Sequence, residues 1–173
     1  MINWTYEAAL NTSADLIKVA TDSKKIFNLF ANKNVVMTSS NHISGTDRVY
    51  EAVSKIGLKD NDVIINLQGD EPFINPKDIN NLFDLAAKEE VKMATLYSEL
   101  KSPSELKDLN IVKILIDNGT ATDFFRKTST KENVFIHQGI YAFKYKTLQS
   151  FVNWDPSANE KKYKLEQLRA LDN

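Results

Sequence analysis

The apolar run Val63-Ile64-Ile65-Asn66-Leu67 stops abruptly at Gln68-Gly69-Asp70-Glu71-Pro72. A short apolar run bounded by turn residues reads as a strand buried on both faces of a sheet. Gly69 lets the backbone turn sharply or approach a ligand closely, and Pro72 stops further ladder pairing. Asp70 and Glu71 therefore sit just past a strand's carboxyl end, where open α/β sheets bind their ligands. Two acids there have two readings: ligands for a hard cation such as Mg²⁺, which favours carboxylate oxygen, or a solvated acidic turn.

Around this run the pattern alternates. Residues 2–14 have helical spacing with no N-cap before them, so the chain begins as though inside a helix. A strand is expected at 16–22, and a helix at 23–32 that buries Ile26, Phe27 and Phe30. Val35-Val36-Met37 reads as a strand. A polar loop follows, then a helix over 47–55 with Gly57 as its stop. Pro76 fits the first turn of a helix over 76–89, burying Ile79, Leu82, Phe83 and Ala86. Strands are expected at 93–97, 111–116, 121–127 and 134–143, with Asp117-Asn118-Gly119 as a turn. An amphipathic helix over 161–171 turns Leu165, Leu168 and Leu171 inward. Strand–helix alternation in the first half calls for right-handed crossovers. The expected fold is α/β, a mixed and mostly parallel sheet flanked by helices. With no linker or repeat, residues 1–173 read as one domain.

Composition narrows the function. A net charge of −1 with dispersed Lys and Arg carries no electrostatic footprint of nucleic-acid binding. The absence of cysteine excludes disulfides, thiolate catalysis and cysteine-ligated zinc, and accords with a reducing cytoplasm. No apolar stretch approaches the roughly 20 residues that a membrane helix needs. His-x-x-His, Gly-x-Ser-x-Gly, Gly-x-Gly-x-x-Gly and the P-loop pattern are all missing, so phosphate binding would need another device.

Three further stretches carry chemistry. Ser44-Gly45-Thr46 opens the 47–55 helix, and its N–H groups and hydroxyls suit an anion or a base edge; taken alone, a capped helix start with Ser44 or Thr46 as cap explains it better. Arg48 either grips a phosphate or carboxylate or pairs with Asp47 or Glu51. Period-two alternation puts His137, Gly139 and Tyr141 on one strand face. There they contact a flat or polyhydroxylated ligand, or they are a satisfied core histidine beside a structural tyrosine. Glu166 and Gln167 flank the Leu165/Leu168/Leu171 stripe, ordinarily as an exposed polar face.

Taken in order, Met37-Thr38, His42-x-Ser44-Gly45-Thr46-Asp47-Arg48, Asn66 to Pro72, Met93-Ala94-Thr95-Leu96, His137-x-Gly139-Ile140-Tyr141 and Leu165-Glu166-Gln167-Leu168-Arg169 closely resemble the 3-deoxy-manno-octulosonate (Kdo) cytidylyltransferase family. The resemblance spans nearly the whole chain. It implies an α/β nucleotidyltransferase fold, usually dimeric, that converts CTP and Kdo into CMP-Kdo and pyrophosphate with Mg²⁺ for lipopolysaccharide synthesis. By resemblance Asp70 is a metal-binding aspartate, and Gln68 lies at the border of nucleotide and sugar. Ser44, Gly45 and Thr46 lie along the cytidine, supported by Arg48. His137, Tyr141, Glu166 and Gln167 line the sugar pocket, with Arg126 or Lys127 as a basic neighbour. Glu71 receives no role.

The chain also departs from the pattern. It contains neither the family's opening Ile-Pro-Ala-Arg-x-x-Ser-x-Arg-Leu-Pro-Gly-Lys-Pro loop nor its later Val-Asp-Thr-Pro-Glu-Asp segment, which holds a second metal-binding aspartate. The expectation is an internal fragment, incomplete at both ends, that turns over little or no CTP alone. Competing readings are a cytidylyltransferase for 8-amino-Kdo or a sialic acid, a non-catalytic nucleotide-binding remnant, and a general nucleotide-binding module.

Overall fold

The computed structural model describes residues 1–30, 34–129 and 132–173. Its elements run α1 (Ile2–Leu10), β1 (Val19–Thr21), α2 (Lys24–Leu29), β2 (Val35–Met37), α3 (Gly45–Val53), β3 (Val63–Asn66), α4 (Pro76–Ala86) and β4 (Met93–Ser98), followed by β5 (Lys113–Asp117), β6 (Thr120–Phe125), β7 (Val134–Lys144), α5 (Tyr145–Asn153), α6 (Ala158–Tyr163) and α7 (Leu168–Leu171). Contacts divide the chain into two compact units. One comprises Met1–Ala94 and Ile140–Val152, the other Thr95–Gly139 and Asn153–Asn173.

In the first unit, β1 and β2 pair in parallel, Val19 opposite Val35. They cover a cluster of Tyr6, Val19 and Phe30, in which the Tyr6 and Phe30 rings meet edge-on at 5.0 Å. The α2 helix starts where the Ser23 hydroxyl accepts the Ile26 N–H at 3.4 Å. It ends at Leu29, and residues 31 and 32, through which the sequence extends this helix, lie outside the described residues. Asn75 caps α4, with Pro76 at its first turn, and Ile79, Leu82 and Ala86 are buried as their spacing predicts. Phe83 does not follow them. It is 37% exposed, because the burying stripe of this helix is narrower than the run of apolar residues.

β3 pairs antiparallel with the last residues of β7, from Val63 opposite Lys144 to Asn66 opposite Tyr141. It is not buried on both faces: Ile64 and Asn66 are buried, whereas Val63 and Ile65 remain partly exposed.

In the second unit, β5 lies between β6 and the first residues of β7, antiparallel to both. Asn118 and Gly119 join β5 to β6 with φ of 48° and 80°. Positive φ at both positions is the requirement of the tightest hairpin turns, which Asn-Gly meets. Ile114, Phe124, Leu165 and Leu168 form the core here. Lys113 is fully buried. Its ammonium donates to the carbonyls of Asp108, Ile111 (2.9 Å) and Arg126 (2.7 Å), and burial lowers its pKa.

Two expectations change. Mostly parallel pairing does not appear in the assigned registers, where β1 with β2 is parallel and the other three pairs are antiparallel. The reason is β7, an 11-residue strand that returns against both β3 and β5. The helix expected over 161–171 is broken: Lys164 adopts the left-handed conformation, φ 56° and ψ 47°, and ends α6. Leu165 and Leu168 still turn inward, but Leu171 is 40% exposed.

Candidate active site

The strand tip and the start of α3 meet within the first unit. Ser44 caps α3 in a reciprocal box. Its hydroxyl accepts the Asp47 N–H at 3.1 Å, and the Asp47 carboxylate accepts the Ser44 N–H at 3.2 Å. The cap reading of Ser44 is therefore the one the local geometry expresses. Asp47 near the helix start also complements the helix dipole. Gly45 lies beside Gln68: a Cβ on Gly45 would be 3.6 Å from the Gln68 amide nitrogen. Thr46 is buried, and its hydroxyl accepts from Asn66 Nδ2 at 3.1 Å.

Arg48 pairs with neither Asp47 nor Glu51. Its guanidinium donates to Thr38 Oγ1 at 2.7 Å and to the Ser39 carbonyl at 3.2 Å, and reaches Asp22 Oδ2 at 3.2 Å. Glu51 serves the loop instead. It accepts the Ser39 N–H at 2.8 Å, sits 2.5 Å from His42 Nε2, and accepts from Lys55 at 2.8 Å. The Lys55 hydrogen bond, then those from Ser39 and His42, lower its pKa to about 2.

Beyond β3, Asp70 is exposed and Glu71 half-buried. Burial, and then the charge of Asp70, raise the Glu71 pKa. The turn between them and the strand is anchored from α1, where Thr5 Oγ1 donates to the Gly69 carbonyl at 3.1 Å. Among the described residues there is no cluster of three metal-ligating side chains at this turn or elsewhere. The donor set suits a hard ion that takes one or two carboxylates and draws its remaining oxygens from water and substrate phosphate. Tyr141, buried and opposite Asn66, completes the expected residues of this unit.

Arg126, His137, Glu166 and Gln167 belong to the second unit. His137 stacks edge-on against Phe124 at 5.1 Å and lies 3.0 Å from Thr95 Oγ1, which also donates to the Gln138 carbonyl. Burial lowers the His137 pKa to about 4, so the ring is neutral near pH 7. Phe124 also packs with Leu165 and Leu168, which places Glu166 and Gln167 next to the same core. Gln167 is buried, not part of an exposed polar face. Arg126 donates to the Leu109 carbonyl at 3.0 Å, and Lys127 is exposed.

Sequence reasoning gives no role of their own to Asn66, Thr38, Asp22 and Thr95, and offers Glu51 only as a partner of Arg48. Asn66 had a signal: a polar residue inside an apolar strand needs a buried partner. The partners of Arg48 and His137 are distant in sequence and left none.

The cytidylyltransferase family model matches residues 1–173. The chain belongs to the cytidylyltransferase family. It is 38% identical over 187 residues to the 3-deoxy-manno-octulosonate cytidylyltransferase of Photobacterium profundum, covering 99% of this chain and 75% of that protein. It is 41% identical over 185 residues to the 8-amino-3,8-dideoxy-manno-octulosonate cytidylyltransferase of Shewanella halifaxensis, with the same coverage. Among solved structures, that of CMP:2-keto-3-deoxy-manno-octonic acid synthetase complexed with CTP matches with a TM-score of 0.90 and 31% identity, covering 99% of this chain and 74% of that one. The α/β nucleotidyltransferase architecture of this cytidylyltransferase is thus shared with an enzyme solved with CTP. No helix among its described residues is long and apolar enough to cross a membrane.

Proposed function

We propose that this cytidylyltransferase transfers CMP from CTP to Kdo, releasing pyrophosphate, as a step of lipopolysaccharide biosynthesis in the cytoplasm. The observation that carries the reading is the match to a CTP-complexed synthetase of this sugar over nearly all of the chain. In the reaction the anomeric hydroxyl oxygen of Kdo attacks the α-phosphorus of CTP. A new P–O bond forms, the bond to the bridging β-phosphate oxygen breaks, and pyrophosphate leaves with the electron pair. The hydroxyl proton passes to solvent.

Positioning and electrostatics supply most catalysis in such a transfer. Ser44, Gly45 and Thr46 lie along the cytidine, with Arg48 holding that loop from behind through Thr38 and Asp22. Gln68 stands where nucleotide and sugar meet. Asp70 would hold Mg²⁺ as a carboxylate ligand, the ion supplying charge neutralisation on the phosphates. In the first unit Tyr141, and in the second unit His137, Glu166, Gln167 and Arg126, are each assigned by resemblance to recognition of the acidic sugar; the neutral His137 ring keeps its hydrogen bond with Thr95. The active protein is a homodimer.

A second reading has a specific observation behind it: the relative named for 8-amino-3,8-dideoxy-manno-octulosonate is 41% identical, against 38% for the Photobacterium protein. A direct competition separates the two. With the chain in excess over labelled CTP, and Mg²⁺ and both sugars at equal concentration, CMP-Kdo is the expected product. Predominant CMP-8-amino-Kdo assigns the chain to the amino sugar, and a CMP-sialic acid product in a parallel reaction rejects both.

A further inference from the structure

Asn66 carries a polar link that the transfer chemistry does not itself require. It is the last residue of β3, 3% exposed, and its Nδ2 donates to the hydroxyl of Thr46, which is 1% exposed. Leucine and valine would fill the same two places without any desolvation to offset, so the pair is not explained by packing alone. What a hydrogen bond adds is a set distance and angle. Here it joins the end of the strand that leads to Gln68 and Asp70 to the first turn of α3. The Gly45 backbone already lies against Gln68, and any drift of the α3 turn would open that contact. Ser44 is committed to the helix cap, so the cap orders the turn internally but does not tie it to β3.

We propose that Asn66 is a positioning residue for nucleotide binding: through Thr46 it fixes the Ser44-Gly45-Thr46 loop against the strand tip without touching substrate. The proposal rests on the reading of that loop as the cytidine side of the site. It follows that removing the link weakens CTP binding more than Kdo binding, and that Asn66 and Thr46 act as one unit.

The test is a calorimetric cycle of N66L, T46V and the double variant, titrated separately with CTP plus Mg²⁺ and with Kdo. Each single variant is expected to raise the Kd for CTP about tenfold, the equivalent of one lost buried hydrogen bond, while the Kd for Kdo changes less than about twofold. The double variant should be no weaker than either single one, and T46S should recover most of what T46V loses. Additive losses, equal losses for both ligands, or unchanged CTP binding in folded variants overturn the proposal. If N66L does not fold, N66A takes its place in the cycle, because Thr46 variants alone would also report any direct contact of the Thr46 hydroxyl with the nucleotide. If the parent chain binds no CTP, the proposed function fails, and the nucleotide role of Asn66 falls with it. The link itself is then judged by hydrogen exchange at the Gly45 and Thr46 amides: faster exchange in T46V supports it, unchanged exchange overturns it.

Discussion

Arg48 reaches Asp22 across 3.2 Å, joining the first turn of α3 to the residue that follows β1, while the same guanidinium donates to Thr38 beyond β2. An arginine beside a proposed nucleotide site invites a role as a ligand grip. Here its donors are directed at the protein. The Asp22 carboxylate is partly exposed, so that ion pair contributes little; the hydrogen bond to buried Thr38 contributes more. Arg48→Ala should therefore cost about 1–2 kcal/mol in urea unfolding, with CTP affinity falling as a consequence. Parental stability combined with lost CTP binding would instead make Arg48 a direct ligand.

Gly45 separates fold from function in the opposite way. A Cβ there makes only ordinary contact with Gln68, and alanine is the better helix former by about 1 kcal/mol. Gly45→Ala is predicted to leave thermal stability unchanged or slightly raised. It should nonetheless weaken CTP binding, because the methyl group occupies the side of the loop facing Gln68. Unaltered CTP affinity in this variant would remove Gly45 from the nucleotide side.

His137 gives a pH signature. Its pKa is lowered to about 4 in the folded chain by burial, against an ordinary value of 6.5. Between those values the unfolded chain binds the extra proton, so stability rises with pH across this window and is fully present above it. The effect is at most about 3 kcal/mol. Glu51 acts lower: held at about 2, its contribution is present above its ordinary 4.5 and is lost as pH falls towards 2. Replacing His137 with Asn should flatten urea midpoints between about pH 4 and 6.5 while leaving the loss at lower pH in place.

The buried Lys113 has no part in the proposed chemistry, yet it should be among the least replaceable residues. Its ammonium satisfies three carbonyls around one end of the β5–β6 hairpin. Lys113→Met leaves them without a donor and is predicted to cost about 3 kcal/mol. A loss below about 1 kcal/mol would mean that water takes over those carbonyls.

Much of this was legible in the residues themselves. The Val35-Val36-Met37 strand, the Asn118-Gly119 hairpin, the Ser44 cap and the Pro76 helix start each express a local rule, and local rules survive folding. The ordered motifs made the family legible before any coordinate. What escaped depends on long-range partners. Lys164 breaks the C-terminal helix although it is not glycine, and nothing local announces its left-handed turn. Lys113 lies within the expected 111–116 strand, and nothing local announces the three carbonyls that receive its ammonium. Asn66 counts by pattern as one more residue of a buried run, whereas its amide joins strand tip and loop.

The strand tip ending in Asp70 and the loop opening α3 are proposed to serve transfer of CMP to an acidic sugar. A single-turnover reaction tests it most directly, with the chain in excess over CTP so that even slow chemistry registers. With Mg²⁺ and Kdo, CMP-Kdo and pyrophosphate are expected in equal amounts, with none without Kdo, and a rate lowered about a hundredfold or more is expected in Asp70→Asn. Absence of CMP-Kdo after prolonged incubation, or an unchanged rate in Asp70→Asn, would contradict it.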